Sequence, residues 1–160
     1  LIISTGLRQV PYIRSKFYYR LKNHSTFLDN IDIKYLKVFP RMSRDFEIIF
    51  DNNENLKNAK IVLDNIISKK DNLKIFGEID ERDNSLFVTL TYSNELKKND
   101  LIVINENKKL SFLDYVVFVA IKNGMHDSKG YVFCSPNFKL KQKLKTVHIS
   151  KLHDLILNNF

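Results

Sequence analysis

The sequence is poor in cysteine and in long apolar runs, and these shortages exclude whole classes of protein. Cys134 is the only cysteine among 160 residues, so no disulfide can form within the chain. A reducing compartment fits this usage. Cys134 lies in the apolar run YVFCS and is expected to be a buried, inert thiol. No apolar stretch reaches the roughly 20 residues of a membrane span, and no signal peptide is recognisable. A cytoplasmic location is expected.

An initiating methionine is also missing, and so is a polar start. The chain opens on LIIST, which has the character of a strand already under way. A free N-terminus usually begins in polar residues that fray. We therefore expect these residues to be a piece of a longer protein.

Acidic residues are scarcer than basic ones, and the formal net charge is +8. Residues 1–50 carry 9 Lys/Arg against 4 Asp/Glu, residues 51–100 carry 8 against 10, and residues 101–160 carry 9 against 4. The basic excess therefore lies at both ends of the chain. The alternating lysines of FKLKQKLK, residues 138–145, suit either a phosphate backbone or a solvated edge strand that resists aggregation.

The chain does have the composition of a packed globular domain, with 44% hydrophobic and 12% aromatic residues. Its most readable part is residues 34–92, where the pattern predicts two strands, a helix and two more strands. DFEIIF alternates as a strand does, and Leu56, Ala59 and Leu63 recur at helical spacing. NLKIFGEI and SLFVTLTY are typical of a hairpin. One helix on a small antiparallel sheet is expected.

Two other runs, DYVVFVAI and YVFCS, show no alternation, so both faces of each strand should be covered. With residues 1–5 they would form a mixed, helix-covered sheet, and RQVPYIRSKFYYR would be a polar, aromatic loop. The expected fold class is α/β, or α+β. Residues 1–33 and 101–160 would form the core sheet region of an α/β domain, and residues 34–92 an inserted, cap-like α+β subdomain.

A His-Asp pair, His126-Asp127, follows the first of these apolar runs in the stretch IKNGMHDSKGYVFCSP. Open α/β sheets place ligands at the carboxyl ends of their strands. A neutral imidazole there can bind zinc, but a zinc centre needs three or four ligands. No second His or Cys lies at ligand spacing in this stretch. A solvated loop and a metal ligand are therefore both open.

The segment NGMHDSKGYVFCSPNFKLK, followed by THISKLHDLIL, resembles the end of proteins of the alkaline phosphatase superfamily, especially the type I phosphodiesterase and nucleotide pyrophosphatase branch. In that branch a late His precedes a Gly, an apolar strand, a basic stretch and a closing helix. Here His126, Gly130 and the helix from Ile149 match in kind and order. The resemblance implies a metal-dependent phosphoesterase with a phosphoester substrate, and His126 as ligand of a divalent metal, zinc first.

The resemblance also implies what this chain lacks. Ser4-Thr5-Gly6-Leu7 stands where the superfamily has a metal-binding Asp-His-Gly. The nucleophile belongs to an N-terminal half, so no catalytic residue is assigned here. Thr5 itself matches the wrong motif to be that nucleophile. The chain is expected to be inactive alone, with the N-terminal half as its partner.

FPRMSRDF carries Arg41 and Arg44 three residues apart, after a proline that ends a strand. Two guanidinium groups at a loop-to-strand junction can grip a phosphate bidentately. Surface arginines that pair with Asp45, Glu47 or Asp29 are the ordinary alternative.

Two further functions stay open. One is a basic α+β module that binds nucleic acid, with Phe87 or Phe76 stacking on bases from the sheet face. Residues 34–92 carry no clear basic excess, however, so this function is not favoured. The other is a catalytically silent structural domain of the same superfamily, which the STGL departure suggests.

Overall fold

The computed structural model describes residues 2–135, 146 and 148–158, without the side chains of Ile2, Cys134 and Leu155. The basic run FKLKQKLK and the thiol of Cys134 thus lie outside the described residues. The chain divides into two compact units, Leu1–Ile13 with Asn123–Phe160 as the first and Arg14–Lys122 as the second. The predicted inserted subdomain, residues 34–92, lies inside the second unit.

Strands outnumber helices, and every strand pairing with a recorded register is antiparallel. The described residues thus have a mixed α+β or mostly-β fold with small antiparallel sheets, which agrees with the prediction only at this coarse level. In chain order the described elements are β1 Ile2–Ser4, β2 Arg8–Leu21, α1 His24–Asn30, β3 Lys37–Pro40, β4 Asp45–Ile49, α2 Asn53–Asn65, β5 Ile67–Ser68, β6 Phe76–Arg82, β7 Ser85–Leu90, β8 Leu101–Asn105, β9 Lys108–Ser111, α3 Phe112–Tyr115, β10 Val116–Asp127, β11 Val132–Cys134, a 3-10 turn Ile149–Lys151 and α4 Leu152–Leu157.

The second unit contains a four-stranded sheet in the order β3-β4-β7-β6. Ile48 of β4 lies opposite Val38 on one side and Leu86 on the other, and Phe46 lies opposite Val88. Strand residues two apart share a face. Phe46 and Ile48 are therefore buried together, while Glu47 between them points to the other face and is only half-buried. The strands predicted in DFEIIF and SLFVTLTY lie where expected.

Polar side chains begin both longer helices of this unit. Asn23 caps α1 through its Oδ1, which accepts from the Thr26 N–H at 2.9 Å. Asn52 caps α2 in the same way by accepting from Asn55. Asp51, the residue before this cap, accepts from the side-chain amide of Asn55 at 2.9 Å.

Aromatic contacts connect the helices to the sheet in the core. The Phe27 ring of α1 lies 5.7 Å from Phe76, and Phe76 lies 5.9 Å from Phe46. All three side chains are fully buried. Helix α2 adds Leu56, Ala59 and Leu63, the residues whose spacing predicted it. Aromatic pairs of this kind stabilise a core by about 0.5–1.5 kcal/mol beyond their burial.

A second, three-stranded sheet in the same unit has the order β5-β8-β9. Strands β8 and β9 form a hairpin that turns at Glu106-Asn107. In the first unit β1 and β11 pair antiparallel, with Ile3 opposite Phe133. The predicted pairing of the first strand with YVFCS is thus present, but β10 does not belong to the same sheet.

Two predictions about the remaining strands are wrong. RQVPYIRSKFYYR is not a loop: it forms most of β2, which pairs with β10. DYVVFVAI is not covered on both faces, since Phe118 is 55% exposed and Ile121 is 42% exposed. The reason is that β10 joins a two-stranded ribbon in place of the predicted covered sheet. A ribbon has open edges, which also accommodates Pro11 within β2.

We expect Leu63→Ala to lower the free energy of unfolding by about 2–5 kcal/mol, because Leu63 is fully buried and alanine leaves a cavity. Ile61→Ala on the same helix is the matched control, since Ile61 is 60% exposed. Its change should stay within about 0.5 kcal/mol. Urea unfolding monitored by circular dichroism measures both, and equal losses would contradict the packing described for α2.

Candidate phosphate-binding cleft

Strand β2, which was predicted to be a loop, and the lysine that follows it supply two of the three cations of the candidate site. From Arg14 to Lys22 the chain reads RSKFYYRLK, and basic residues occupy positions 14, 16, 20 and 22. Tyr19 and Leu21 are buried and Phe17 is half-buried, so the odd positions from 17 to 21 face the core. Because alternate strand residues share a face, Arg14, Lys16 and Arg20 lie on the opposite face of β2, and Lys22 directly follows the strand. They are exposed.

One end of this basic face opens into a cleft of about 310 Å³ in the second unit. A cleft of this size is at the lower limit of small-ligand pockets. It lies where the end of β2, the start of α1 and the β3–β4 turn meet. Its lining residues are Arg20, Leu21, Lys22, His24, Pro40, Arg41, Ser43, Asp45 and Val117.

Arg41 lines the cleft, as its predicted role requires. Its guanidinium also bonds to Glu47 and lies 5.8 Å from the Phe39 ring centroid. The bond from Arg41, followed by one from Ser85, holds the pKa of Glu47 below its ordinary value. Arg41 is therefore held in place beside the cleft, and the ordinary pairing with Glu47 is present as well. Its phosphate-binding role stays a prediction.

Arg44 occupies a different place. It is not among the residues that line the cleft. Its guanidinium lies 4.6 Å from the centroid of the Tyr18 ring, and Nη1 donates to the Leu90 carbonyl at 3.4 Å. The predicted pair therefore splits: Arg41 faces the cleft and Arg44 stacks on β2.

The other two cations of the cleft, Lys22 and Arg20, differ in the number of hydrogen bonds and ion pairs that they make with the protein. Lys22 donates from Nζ to the carbonyls of Leu113 and Asp114, at 3.1 and 2.9 Å. Arg20 makes no ion pair among the residues that the structure describes. Asp45 is the single carboxylate of the lining, and it accepts from Thr89 at 2.9 Å. Three cations against one carboxylate leave the lining positively charged.

His24 is half-buried against this charge. Its ring lies 5.0 Å from Phe46 in an edge-to-face contact. Burial, and secondarily the nearby Arg20, lower the pKa of His24 below its ordinary value. The imidazole is therefore neutral at pH 7 and can offer a hydrogen-bond donor or acceptor to a ligand. His24 was not among the residues predicted from the sequence to bind a ligand.

His126 lies in the first unit, next to the end of β10, with its side chain exposed. The structure records no hydrogen-bond or ion-pair partner for its ring among the described residues. Asp127, its neighbour, is engaged: Arg8 Nε donates to its carboxylate at 2.7 Å and holds its pKa below the ordinary value. The imidazole is thus accessible, and the adjacent carboxylate is not free.

Close backbone contact between residues 5 and 131 explains why the predicted motif has a glycine at position 130 and what Thr5 does. The Tyr131 N–H donates to Thr5 Oγ1 at 3.0 Å, and the Thr5 N–H donates to the Tyr131 carbonyl at 2.9 Å. A Cβ on Gly130 would lie 1.9 Å from the Thr5 carbonyl oxygen. Gly130 is therefore required for this approach, and Thr5 serves a structural bond.

These residues do not form a metal centre by themselves. Among residues 2–135, 146 and 148–158, no three His, Cys, Asp or Glu side chains come together as a group that could hold a metal ion. His126 supplies one potential ligand where zinc needs three or four. Its ligand role stays a prediction, and so does the identity of the metal.

The aromatic residues proposed to stack on bases are poorly placed for it. Phe76 is fully buried in the core and cannot reach a ligand. Phe87 is half-buried, and the Arg82 guanidinium lies 4.5 Å from its ring centroid. The sheet face thus offers no open aromatic platform at these two positions. Within the described part of the chain, no helix is long and apolar enough to cross a membrane.

No protein-family model matches this chain, and comparison with curated proteins and with solved structures returns no match. The resemblance to the alkaline phosphatase superfamily therefore remains a prediction from the motifs quoted above. The described residues form a mixed α+β or mostly-β fold, and the cleft in its second unit is lined by three cations and one carboxylate.

We expect Arg20→Ala to raise the pKa of His24 only part of the way towards its ordinary value, because burial is the larger cause of the shift. NMR titration of the histidine ring protons measures this. Lys57→Ala on α2 removes the same charge at an exposed position and should leave the His24 pKa unchanged. A fully restored pKa in the Arg20 variant would contradict the dominance of burial.

The free energy of unfolding should depend on pH through the titration of His24. Since the folded state lowers the pKa of His24, protonation favours the unfolded chain. This contribution to stability is complete above about pH 6.5, the ordinary His value. It is lost as pH falls from there to the folded pKa. His24→Gln should flatten that part of the stability curve.

Proposed function

We propose that this chain is the C-terminal portion of a metal-dependent phosphoesterase-like hydrolase, whose second unit binds the phosphate group of the substrate. The observation that carries the proposal is the cleft: three cationic side chains, a neutral imidazole and a hydroxyl converge there with only one carboxylate. Arg41, singled out from the sequence as a phosphate ligand, lies in its wall.

The chemistry of the lining suits a phosphate ester. Guanidinium groups match the oxygen geometry of phosphate and bind it with paired hydrogen bonds. Lys22 adds a point charge, and Ser43 adds a hydroxyl donor to the same opening. His24 contributes a further polar contact without adding charge, because its pKa is lowered. Together these groups favour a compact dianion over a neutral ligand.

The proposal assigns His126 to one metal of the complete protein. Its ring is exposed and, among the described residues, unengaged, which leaves both nitrogens open to a ligand. The remaining ligands would come from the N-terminal half that the resemblance implies. When bound, such a metal supplies Lewis-acid stabilisation of the phosphoryl oxygens. This chain's own contribution is to bind the phosphate and to orient it.

A catalytically silent domain of the same superfamily is the second candidate. The observation in its favour concerns Thr5, which stands where the superfamily has its Asp-His-Gly motif. The Thr5 hydroxyl oxygen accepts a hydrogen bond from the Tyr131 N–H, which is a structural role. Both candidates use the cleft in the same way. They differ in whether the longer protein holds metal.

We expect the 160-residue chain to bind phenyl phosphate, and Arg20→Ala to weaken that binding about tenfold, the effect of losing one charged hydrogen bond. Arg20 is chosen because it has no carboxylate partner among the described residues. Its replacement therefore leaves no carboxylate without a partner. NMR chemical-shift titration measures the affinity and shows where the ligand lies.

Lys57→Ala is the matched control, because it removes a cation at an exposed position of α2 that is not in the cleft. Its affinity for phenyl phosphate should equal that of the unchanged chain. Equal weakening in both variants would indicate a general charge effect and would refute the cleft as the site. Shifts confined to residues outside the cleft would do the same.

We expect His126→Ala to lower the zinc content of the longer parent protein by about one ion per chain if the hydrolase proposal holds. His153→Ala, an exposed histidine on α4, serves as control. Elemental analysis after dialysis gives the stoichiometry. Unchanged zinc in the His126 variant would exclude the ligand role, and a parent free of zinc would favour the silent domain.

A further inference from the structure

The basic face of β2 extends well beyond the cleft. Arg14 and Lys16 continue the row that ends in Arg20 and Lys22, and neither contributes to the cleft lining. At about 3.4 Å per residue the row is roughly 27 Å long. Among the described residues, Arg14, Lys16 and Arg20 have no carboxylate partner. A phosphoester in the cleft leaves Arg14 and Lys16 unexplained.

Exposed aliphatic side chains lie on the same face of the neighbouring strand. Phe118 of β10 contacts Phe17 and Tyr19, at ring-centroid distances of 6.4 and 6.3 Å, so the even positions of β10 share the inward face of β2. Its odd positions therefore join the basic row. Val117 lines the cleft with Arg20, while Val119 and Ile121 follow it, 40% and 42% exposed.

A third apolar side chain projects beside the cleft. Met42 is 95% exposed in the turn that connects β3 to β4. Arg41 precedes it, and Arg44 follows two residues later. A long apolar side chain between two cations on a turn is therefore presented to the surroundings of the cleft.

We propose that this surface, called here the β2–β10 face and comprising Arg14, Lys16, Arg20, Lys22, Val119 and Ile121, docks on a bilayer that contains anionic phospholipid. Unpaired cations are attracted to the negative surface potential, and each stabilises membrane binding. Exposed aliphatic groups enter the headgroup boundary beside them. Charge complementarity and apolar exposure on one face are thus explained together. The proposal does not depend on the proposed hydrolase function.

Single-stranded nucleic acid is the competing partner for a row of cations, and the aromatic residues disfavour it. Non-specific binding of single strands needs open rings on which bases stack. Phe17 and Tyr19 stack on each other and point inward, with ring centroids 6.5 Å apart. Tyr18, on the basic face, carries the Arg44 guanidinium 4.6 Å from its centroid. Nucleic acid would also leave Val119 and Ile121 without a role.

Cosedimentation of the 160-residue chain with vesicles tests the proposal. The chain should bind vesicles of phosphatidylcholine with about 30% phosphatidylserine and should not bind pure phosphatidylcholine. Lys16→Glu should weaken binding about tenfold or more, because it reverses one charge of the row. The double variant Val119→Ser with Ile121→Ser should also weaken it, by about three- to tenfold, through loss of apolar burial.

Two matched variants on α2 control for net charge and for exposed apolar area. Lys57→Glu makes the same charge change as Lys16→Glu, and Ile61→Ser removes an aliphatic group that is 60% exposed. Both should bind vesicles within about twofold of the unchanged chain. Equal losses in the controls, or none in the β2–β10 variants, would overturn the proposal.

The remaining outcomes separate this surface from the cleft. Lys16→Glu should keep its affinity for phenyl phosphate within about twofold, since Lys16 does not line the cleft. The chain would then have two separable interactions. Binding of a 20-nucleotide oligothymidylate, without vesicle binding, would overturn the lipid proposal in favour of nucleic acid. Equal binding to vesicles with and without phosphatidylserine would overturn it as well.

Discussion

The two-residue period of one strand is the constraint on which the functional surface depends. In RSKFYYRLK the core takes Tyr19 and Leu21, and the Tyr19 hydroxyl further accepts from the Leu96 N–H at 2.9 Å. Burying these side chains fixes the register of the last part of β2, because a slip of one residue would move Arg20 towards the core. Hydrophobic burial on one face of β2 thus concentrates the positive charge on the other. The packing of the fold creates the electrostatic character of the site.

The cations of the site differ in how firmly the protein holds them, and this difference affects how each would contribute to the binding of an anion. Arg41 is held by Glu47 and Lys22 by two carbonyls, so a ligand finds them already oriented. Such preorganisation reduces the ordering cost of binding. Arg20 is exposed and uncompensated among the described residues, so it has most to gain from an anion. His24 stays neutral in this surrounding because its ring is desolvated against Phe46.

Much of the second unit could be predicted from the sequence, while the site could be predicted only in part. Helix α2 and the strands of DFEIIF and SLFVTLTY have periods that local reasoning detects. β2 was misread because aromatic residues at positions 17–19 and Pro11 obscure an alternation that begins at Arg14. Counting the charged residues at even and odd positions separately would have shown that Arg14, Lys16, Arg20 and Lys22 all occupy even positions. The cleft itself joins β2, α1 and the β3–β4 turn, which are distant in sequence, and no local pattern encodes that meeting.

The same limit explains why the sequence pointed to His126 and gave no sign of Arg20. A histidine beside an aspartate suggests a metal site when the sequence is all that is known, yet Asp127 turns to Arg8, at a separation of 119 residues. Long-range pairing of a carboxylate removes it as a ligand and lowers its pKa at once. Arg20 gave no motif, because its significance lies in the absence of a partner among the described residues. Local motifs name candidate groups, whereas the charges that the fold leaves without a partner among the described residues mark the positions at which an anion would be attracted.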